Sequence, residues 1–356
     1  MKFKIEKNIF DNVITSMQPF LEKKDASNIT SHIFLQVIDN ILIIKSTDLE
    51  MGLKIDIDSI EDSIDGKATI NGSNLLGILK RLKNDSLIIE VLDNNLIIKQ
   101  NRSKFKLPMY DANEYPSFPN TIMDNKLNIN SIHLINSIKK ITPAIDNNNP
   151  KFELNGALID IKSSKINFVS TDTRRLAVSY LENISNKDAK IIIPKKAIIE
   201  IQKIFFDEIE ISYDETYLII NTKNKQFFTK LINGKYPDYE RIIPNSLKHN
   251  IEVSKDTLIE SIKLVTSLSP NLRLTFSSNS IIFESIDDET ESKTKIDIEL
   301  PLEQSFTIAA NNKYLLDFLS MANNEKIKIG FNESNLPFYL EDNKFFTIVM
   351  PIILEK

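Results

Sequence analysis

Three stretches of the chain begin 124 residues apart and read alike: "FKIEKNIFDNVITSM" from Phe3, "LNINSIHLINSIKKI" from Leu127 and "IEVSKDTLIESIKLV" from Ile251. Each opens with the alternation of a strand and passes into helical periodicity. Ile9, Phe10, Val13, Ile14 and Met17 make one apolar stripe, and Leu258, Ile259, Ile262 and Val265 make its counterpart. A period of this size means that one folding unit recurs, which fixes the architecture before any other feature is read.

The rest of each unit follows the same plan. A second helix comes after a short strand in "ATINGSNLLGILKRL", "IIIPKKAIIEIQKIF" and "FTIAANNKYLLDFLSMA". Strand pairs joined by polar turns come next, in "LIIEVLDNNLIIK", "IEISYDETYLIIN" and "IKIGFNESNLPFYL". The Pro-bearing segments "YPSFP" and "YPDYERIIP" read as linkers. The reading is an α+β chain of three repeated domains, 1–120, 121–245 and 246–356, each with two helices and about eight antiparallel strands.

A search for chemistry returns little. His32, His133 and His249 are scattered, so no metal site is expected, and no phosphate-binding glycine loop occurs among only seven glycines. The acidic run "DDETE" at 287–291 reads as a solvated loop. Absence of cysteine, of a signal-peptide core and of any long apolar run points to a cytoplasmic protein. The rival reading is a polyanion-processing enzyme on a three-domain β-rich scaffold, using Asp48, Glu50 and Asp172. No His or Tyr partner stands near the Asp48/Glu50 pair in sequence, so the chain is expected to be non-catalytic and to need no cofactor.

Two features remain. Ser46-Thr47-Asp48 recurs as Ser170-Thr171-Asp172, but only the second copy runs into Arg174, Arg175 and Leu176. The formal charge of −5 argues weakly against a nucleic-acid partner. Yet helical phase turns Lys80, Arg81, Lys140, Lys196, Lys203, Lys263 and Lys313 outward, against fewer acids, Asp11, Glu200, Glu260 and Asp317. Such segregated charge suits a surface that follows a polyanion through its phosphates without reading bases.

"LQV…TDLEM" at 35–51, "LNG" at 154–156, "STDTRRLAV" at 170–178, "YPDYERIIP" at 236–244 and the late "VMPI" resemble, in collinear order over the whole chain, the bacterial DNA polymerase III beta subunits, the sliding clamps. The resemblance implies a head-to-tail homodimer whose six domains form a ring around duplex DNA, a processivity factor without catalytic activity. Its implied partners are DNA polymerase III alpha subunit, the clamp loader, and other polymerases and repair proteins carrying short hydrophobic motifs.

Position by position, the resemblance implies a peptide pocket. Its apolar part is Leu154, Thr171, Leu176, Pro237, Ile242, Ile348 and Met350. Arg174, Arg175 and Arg241 form a polar frame, and Asn311, Tyr314, Pro351 and Ile352 line an adjoining cleft. It also carries Lys24 and Asn148 over as DNA-facing positions, beside the helical bases above. The strand "RSKFKL" is expected to offer Phe105 and Leu107, flanked by Arg102 and Lys104, to a second copy's Leu264, Leu268 and acidic run. The chain departs from the family pattern at Thr173-Arg174, at Ser73, at "SLSPNLRL" and at Ile352-Ile353-Leu354 with the added Glu355 and Lys356.

Overall fold

The computed structural model describes residues 1–25, 27–119, 125–182, 188–287 and 289–353. Leu354, Glu355, Lys356 and Asp288 of the acidic run therefore lie outside the described residues.

Helices appear where the repeat places them: α1 (Lys7–Met17), α2 (Gly72–Leu79), α3 (Ser131–Ile141), α4 (Lys195–Ile204), α5 (Lys255–Val265) and α6 (Asn312–Met321). All but α3, which three residues separate from its strand, follow a strand directly. Asn71, Ser254 and Asn311 accept a backbone N–H of the first turn of α2, α5 and α6 and so fix where those helices begin. The apolar stripe of α1 buries Phe10, Ile14 and Met17, and that of α5 buries Leu258, Ile262 and Val265. Among the described residues the three sequence repeats hold nine, eight and eight strands. Tight hairpins turn at Asp39-Asn40 and Asp93-Asn94, all four at positive φ, as two-residue turns between right-twisted strands require.

The strands do not stop at the repeat boundaries. The chain forms two compact units, 1–131 with 203–231, and 132–202 with 232–356. Unit 1 has a five-stranded sheet whose edge is Ser103–Pro108, and an eight-stranded sheet. In the larger sheet Met51–Ile57, from the first repeat, pairs antiparallel with Lys225–Lys230, from the second. Unit 2 repeats the construction: Arg175–Glu182 pairs with Phe345–Val349, joining the second repeat to the third in another eight-stranded sheet beside a four-stranded one. Helices cover one face of these sheets, and the apolar side chains between helix and sheet form the core.

Several helical positions differ from the sequence reading: Ile9, placed on the apolar stripe of α1, is 38% exposed, and Asp11 and Asp317, read as outward, are half-buried. Glu200 is buried rather than outward, because it lies three residues after Ala197 and four before Ile204 on the inward stripe of α4. Lys140 is half-buried, its ammonium 5.4 Å from the centre of the Phe345 ring, and burial lowers its pKa. The neighbouring Lys139 is the exposed one.

Candidate docking site on the Ser-Thr-Asp turn

Each residue of the triplet has one task, and both copies perform it. Ser46 Oγ donates to the carbonyl of Met17, and Ser170 Oγ to that of Ile141. These are the last residues of α1 and α3, so the serine satisfies a helix-end carbonyl that has no partner in the helix. Thr47 Oγ1 donates to Met51 O and accepts from Leu49 N, and Thr171 Oγ1 donates to Arg175 O and accepts from Thr173 N. Asp48 Oδ1 accepts the N–H groups of Glu50 and Met51; Asp172 Oδ1 accepts those of Arg174 and Arg175. The third residue of each turn is left-handed, Leu49 at φ 72° and Thr173 at φ 71°. Two short polar side chains thus hold the turn from within. Asp48 and Asp172 spend a carboxylate oxygen on this task, and Glu50 pairs with Lys230 at 3.0 Å.

The copies diverge at the next side chain. Met51 stands in the first; Arg175, only 5% exposed, stands in the second. Its Nε meets Asp172 Oδ2 at 3.0 Å, its Nη1 meets Asp317 Oδ2 at 2.8 Å, and its Nη2 donates to the carbonyl of Pro143. The guanidinium plane lies 4.6 Å from the centre of the Tyr314 ring. Two carboxylates, a carbonyl and a π face compensate a charge withdrawn from water. Arg175 therefore ties the turn to α6. A cavity of about 780 Å³ opens beside it, bordered by Pro143, Asp172, Lys195, Lys313 and Tyr314. Burial lowers the Lys195 pKa, and its ammonium donates to Ile145 O and Asn147 Oδ1.

Behind the turn lies an apolar floor. Leu176 faces Ile348 across the ladder, and both belong with Leu154 to one cluster, each 2% exposed. Tyr236, Tyr239 and Phe346 complete it, with Ile232, Ile243 and Tyr339 packed against it. Tyr239 is fixed through its hydroxyl, which donates to the buried Asp160 and accepts from Asn167. The "YPDYERIIP" segment is thus part of the cluster, not a loose linker; its aromatic content was the signal for that.

The segments that adjoin the cluster expose apolar and basic side chains: Ile242 and Met350 are 45% and 42% exposed, and Pro237 and Arg174 are exposed as well. Arg241 is exposed and bridges to Asp238 at 2.7 Å. The chain segment carrying Met350 is pinned, because Met350 N–H donates to Arg174 O and Ile352 N–H to Ala309 O. Asn311, which caps α6, and Tyr314, Pro351 and Ile352 are half-buried.

Of the other expected positions, Lys24, Lys80, Arg81, Asn148, Lys196, Lys203 and Lys263 are exposed. Arg102, Lys104, Phe105 and Leu107 lie on or beside the edge strand of the five-stranded sheet, the two apolar residues half-buried. Leu264 and Leu268, at and beyond the end of α5, are exposed. Among the described residues no group of three His, Cys, Asp or Glu could hold a metal ion, and no helix is long and apolar enough to cross a membrane.

Comparisons with known proteins agree along the whole chain. Family models of the DNA polymerase III beta subunit match its N-terminal domain to residues 1–119, its central domain to 128–238 and its C-terminal domain to 240–353. The beta sliding clamp of Helicobacter pylori strain J99 is 38% identical, over 99% of this chain and 100% of that protein. That of Pseudomonas putida KT2440 is 26% identical over the same shares. A solved structure of the H. pylori beta clamp bound to a DNA ligase peptide superposes with a TM-score of 0.94 at 38% identity, covering 99% of this chain and 100% of that one. A Pseudomonas aeruginosa sliding clamp bound to griselimycin has the same fold, with a TM-score of 0.92 at 24% identity and the same coverage.

Proposed function

The chain belongs to the DNA polymerase III beta subunit family, the beta sliding clamps, and from that premise we propose how its surfaces serve a clamp. It is a non-catalytic subunit of the replication machinery. Two copies close head to tail into a ring of six domains, which encircles duplex DNA and tethers partner proteins to it in the cytoplasm. A ring retains DNA by topology, so its phosphate contacts work best when they are weak and exchangeable.

The docking site for those partners is the second Ser-Thr-Asp turn. The observation that carries this reading is the buried cluster of Leu154, Leu176 and Ile348 with apolar residues exposed in the segments that adjoin it. These are Met350, two residues beyond Ile348, and Ile242, next to Ile243, which packs against the cluster, while Arg174 and Arg241 are exposed as well. The H. pylori relative is bound to a DNA ligase peptide, and a short motif of that kind is the occupant here. Two buried Leu or Phe anchors contribute roughly 1.5–3 kcal/mol each, which, less the cost of ordering a peptide, suits an affinity of roughly micromolar order. Replicative polymerase, loader and repair proteins can then exchange.

Fluorescence anisotropy with a Gln-Leu-x-Leu-Phe-type peptide tests the site. Met350→Asp and deletion of residues 352–356 are each expected to abolish binding and to leave the dimer intact. Equal affinity in both variants places the pocket elsewhere.

A further inference from the structure

The first copy of the turn frames a cavity of its own, of about 560 Å³, within unit 1. Thr47, Leu49, Pro116, Phe118, Tyr217 and Phe228 line it. Its construction matches that of the other turn. Phe228 faces Gly52 across the ladder as Ile348 faces Leu176, so an equivalent strand pair supplies the floor. The segment Pro116–Pro119 borders it as the segment with Tyr236 and Tyr239 covers the other floor.

The floor is aromatic instead of aliphatic, for a steric reason. A Cβ at Gly52 would come within 2.5 Å of the Phe228 ring and 3.0 Å of the Phe118 ring. Glycine at this one position lets the two rings, 4.8 Å apart and inclined at 73°, lie against the backbone.

Leu49 is the second observation. It holds φ at 72° while 51% exposed. Left-handed backbone favours glycine or asparagine, and a bulky apolar side chain there carries strain for no gain in burial. What the conformation does is set an apolar side chain at the mouth of the cavity, and strain of this kind gathers at ligand sites.

The rim has the opposite charge to that of the unit 2 turn. Lys230 pairs with Glu50 at 3.0 Å and feels Asp48 as well, and Asp214 stands on the lining, so the turn and lining carry three carboxylates to one ammonium. Around the other turn stand Arg174, Arg175 and Arg241 with Asp172 and Asp238, three cations to two carboxylates. We propose that unit 1 holds a second docking site, for peptides whose leucine or aromatic anchor is flanked by lysine or arginine, the charge-reversed counterpart of the site on Met350. The inference rests on the docking role given to the unit 2 turn. Opposite rims let one chain sort two classes of partner by charge.

The test uses the full chain and two fluorescein-labelled probes, Gly-Lys-Leu-Phe-Lys and Gly-Glu-Leu-Phe-Glu. The basic probe is expected to bind saturably and at least about tenfold more tightly than the acidic one. Leu49→Gly, which removes the mouth residue and relieves its backbone, is expected to weaken the basic probe about tenfold or more, the equivalent of one lost apolar anchor contact. Met350→Asp is expected to leave that probe unaffected while abolishing the Gln-Leu-x-Leu-Phe-type peptide. Absence of saturable binding at millimolar protein, indifference to Leu49→Gly, or loss of the basic probe in Met350→Asp overturns the proposal. So does a change of mass in light scattering on Leu49→Gly, which would make the pocket a contact between copies. The Gln-Leu-x-Leu-Phe arm reports on the unit 2 site independently.

Discussion

The guanidinium of Arg175 lies 4.6 Å from the centre of the Tyr314 ring, and the helix that carries Tyr314 also supplies Asp317 to the same guanidinium at 2.8 Å. One side chain from the second repeat is thus held on two positions, three residues apart, on one helix of the third. The first repeat has Met51 at this place, so Arg175→Met asks what the added charge contributes. It leaves Asp172 without its ion pair and Asp317 with Lys313 alone. The expected cost is about 2–4 kcal/mol, seen as a lowered urea midpoint. Arg175→Lys is expected to recover less than half, since an ammonium cannot serve Asp172, Asp317 and Pro143 O in one plane. An unchanged midpoint for Arg175→Met would remove the latch from the account.

Much of this was legible in the sequence because it is local. The Ser-Thr-Asp spacing, the helix starts and the Asp-Asn hairpins each depend on a few consecutive residues. What was not legible is the pairing of Met51–Ile57 with Lys225–Lys230. Both strands alternate like any half-buried strand, and nothing in either sequence names its partner about 170 residues away. Leu176 shows the same limit at the site. The resemblance placed it in the apolar part of the pocket, but nothing local gives its ladder partner, Ile348, or its cluster with Tyr236 and Tyr239. The burial of Arg175 was not legible for a related reason, because the carboxylate that draws it inward, Asp317, is 142 residues away.

His32 makes stability depend on pH. Its ring is buried against Tyr110, its Nδ1 has no hydrogen-bond partner, and burial lowers its pKa to about 4. The unfolded chain, near the ordinary value of about 6.5, binds the proton first, so stability falls as pH drops from about 6.5 to 4 and is fully present above that window. The contribution is on the order of 3 kcal/mol when complete. His32→Phe is expected to flatten the plot of urea midpoint against pH between 4 and 6.5. A slope of the same size in this variant would assign the effect to carboxylates.

Phe105 lies on an edge strand whose outer residues alternate Lys104, Phe105, Lys106 and Leu107, with backbone groups open along one side of the sheet. Such an edge is a template for pairing with another chain. Phe105→Asp is expected to convert a dimer to a monomer in light scattering at micromolar concentration, with the urea midpoint of the monomer itself little changed. A dimer that survives the substitution would move the interface away from this strand.

Contact with DNA is expected to be electrostatic and without sequence preference. Lys80 and Arg81 follow α2, exposed and adjacent, and Lys139 takes the outward place that the sequence reading gave to Lys140. Each phosphate neutralised contributes about −0.9 to the slope of log K against log salt. Lys80→Gln with Arg81→Gln is therefore expected to reduce that slope by about 2 on any duplex sequence, while Lys140→Gln changes it by less than one contact. Filter binding of two unrelated duplexes between 50 and 200 mM salt, roughly the range over which such contacts are lost, reads both quantities. A slope indifferent to the double substitution, or one that differed between the two duplexes, would show that the helix ends of the first repeat do not face the phosphates.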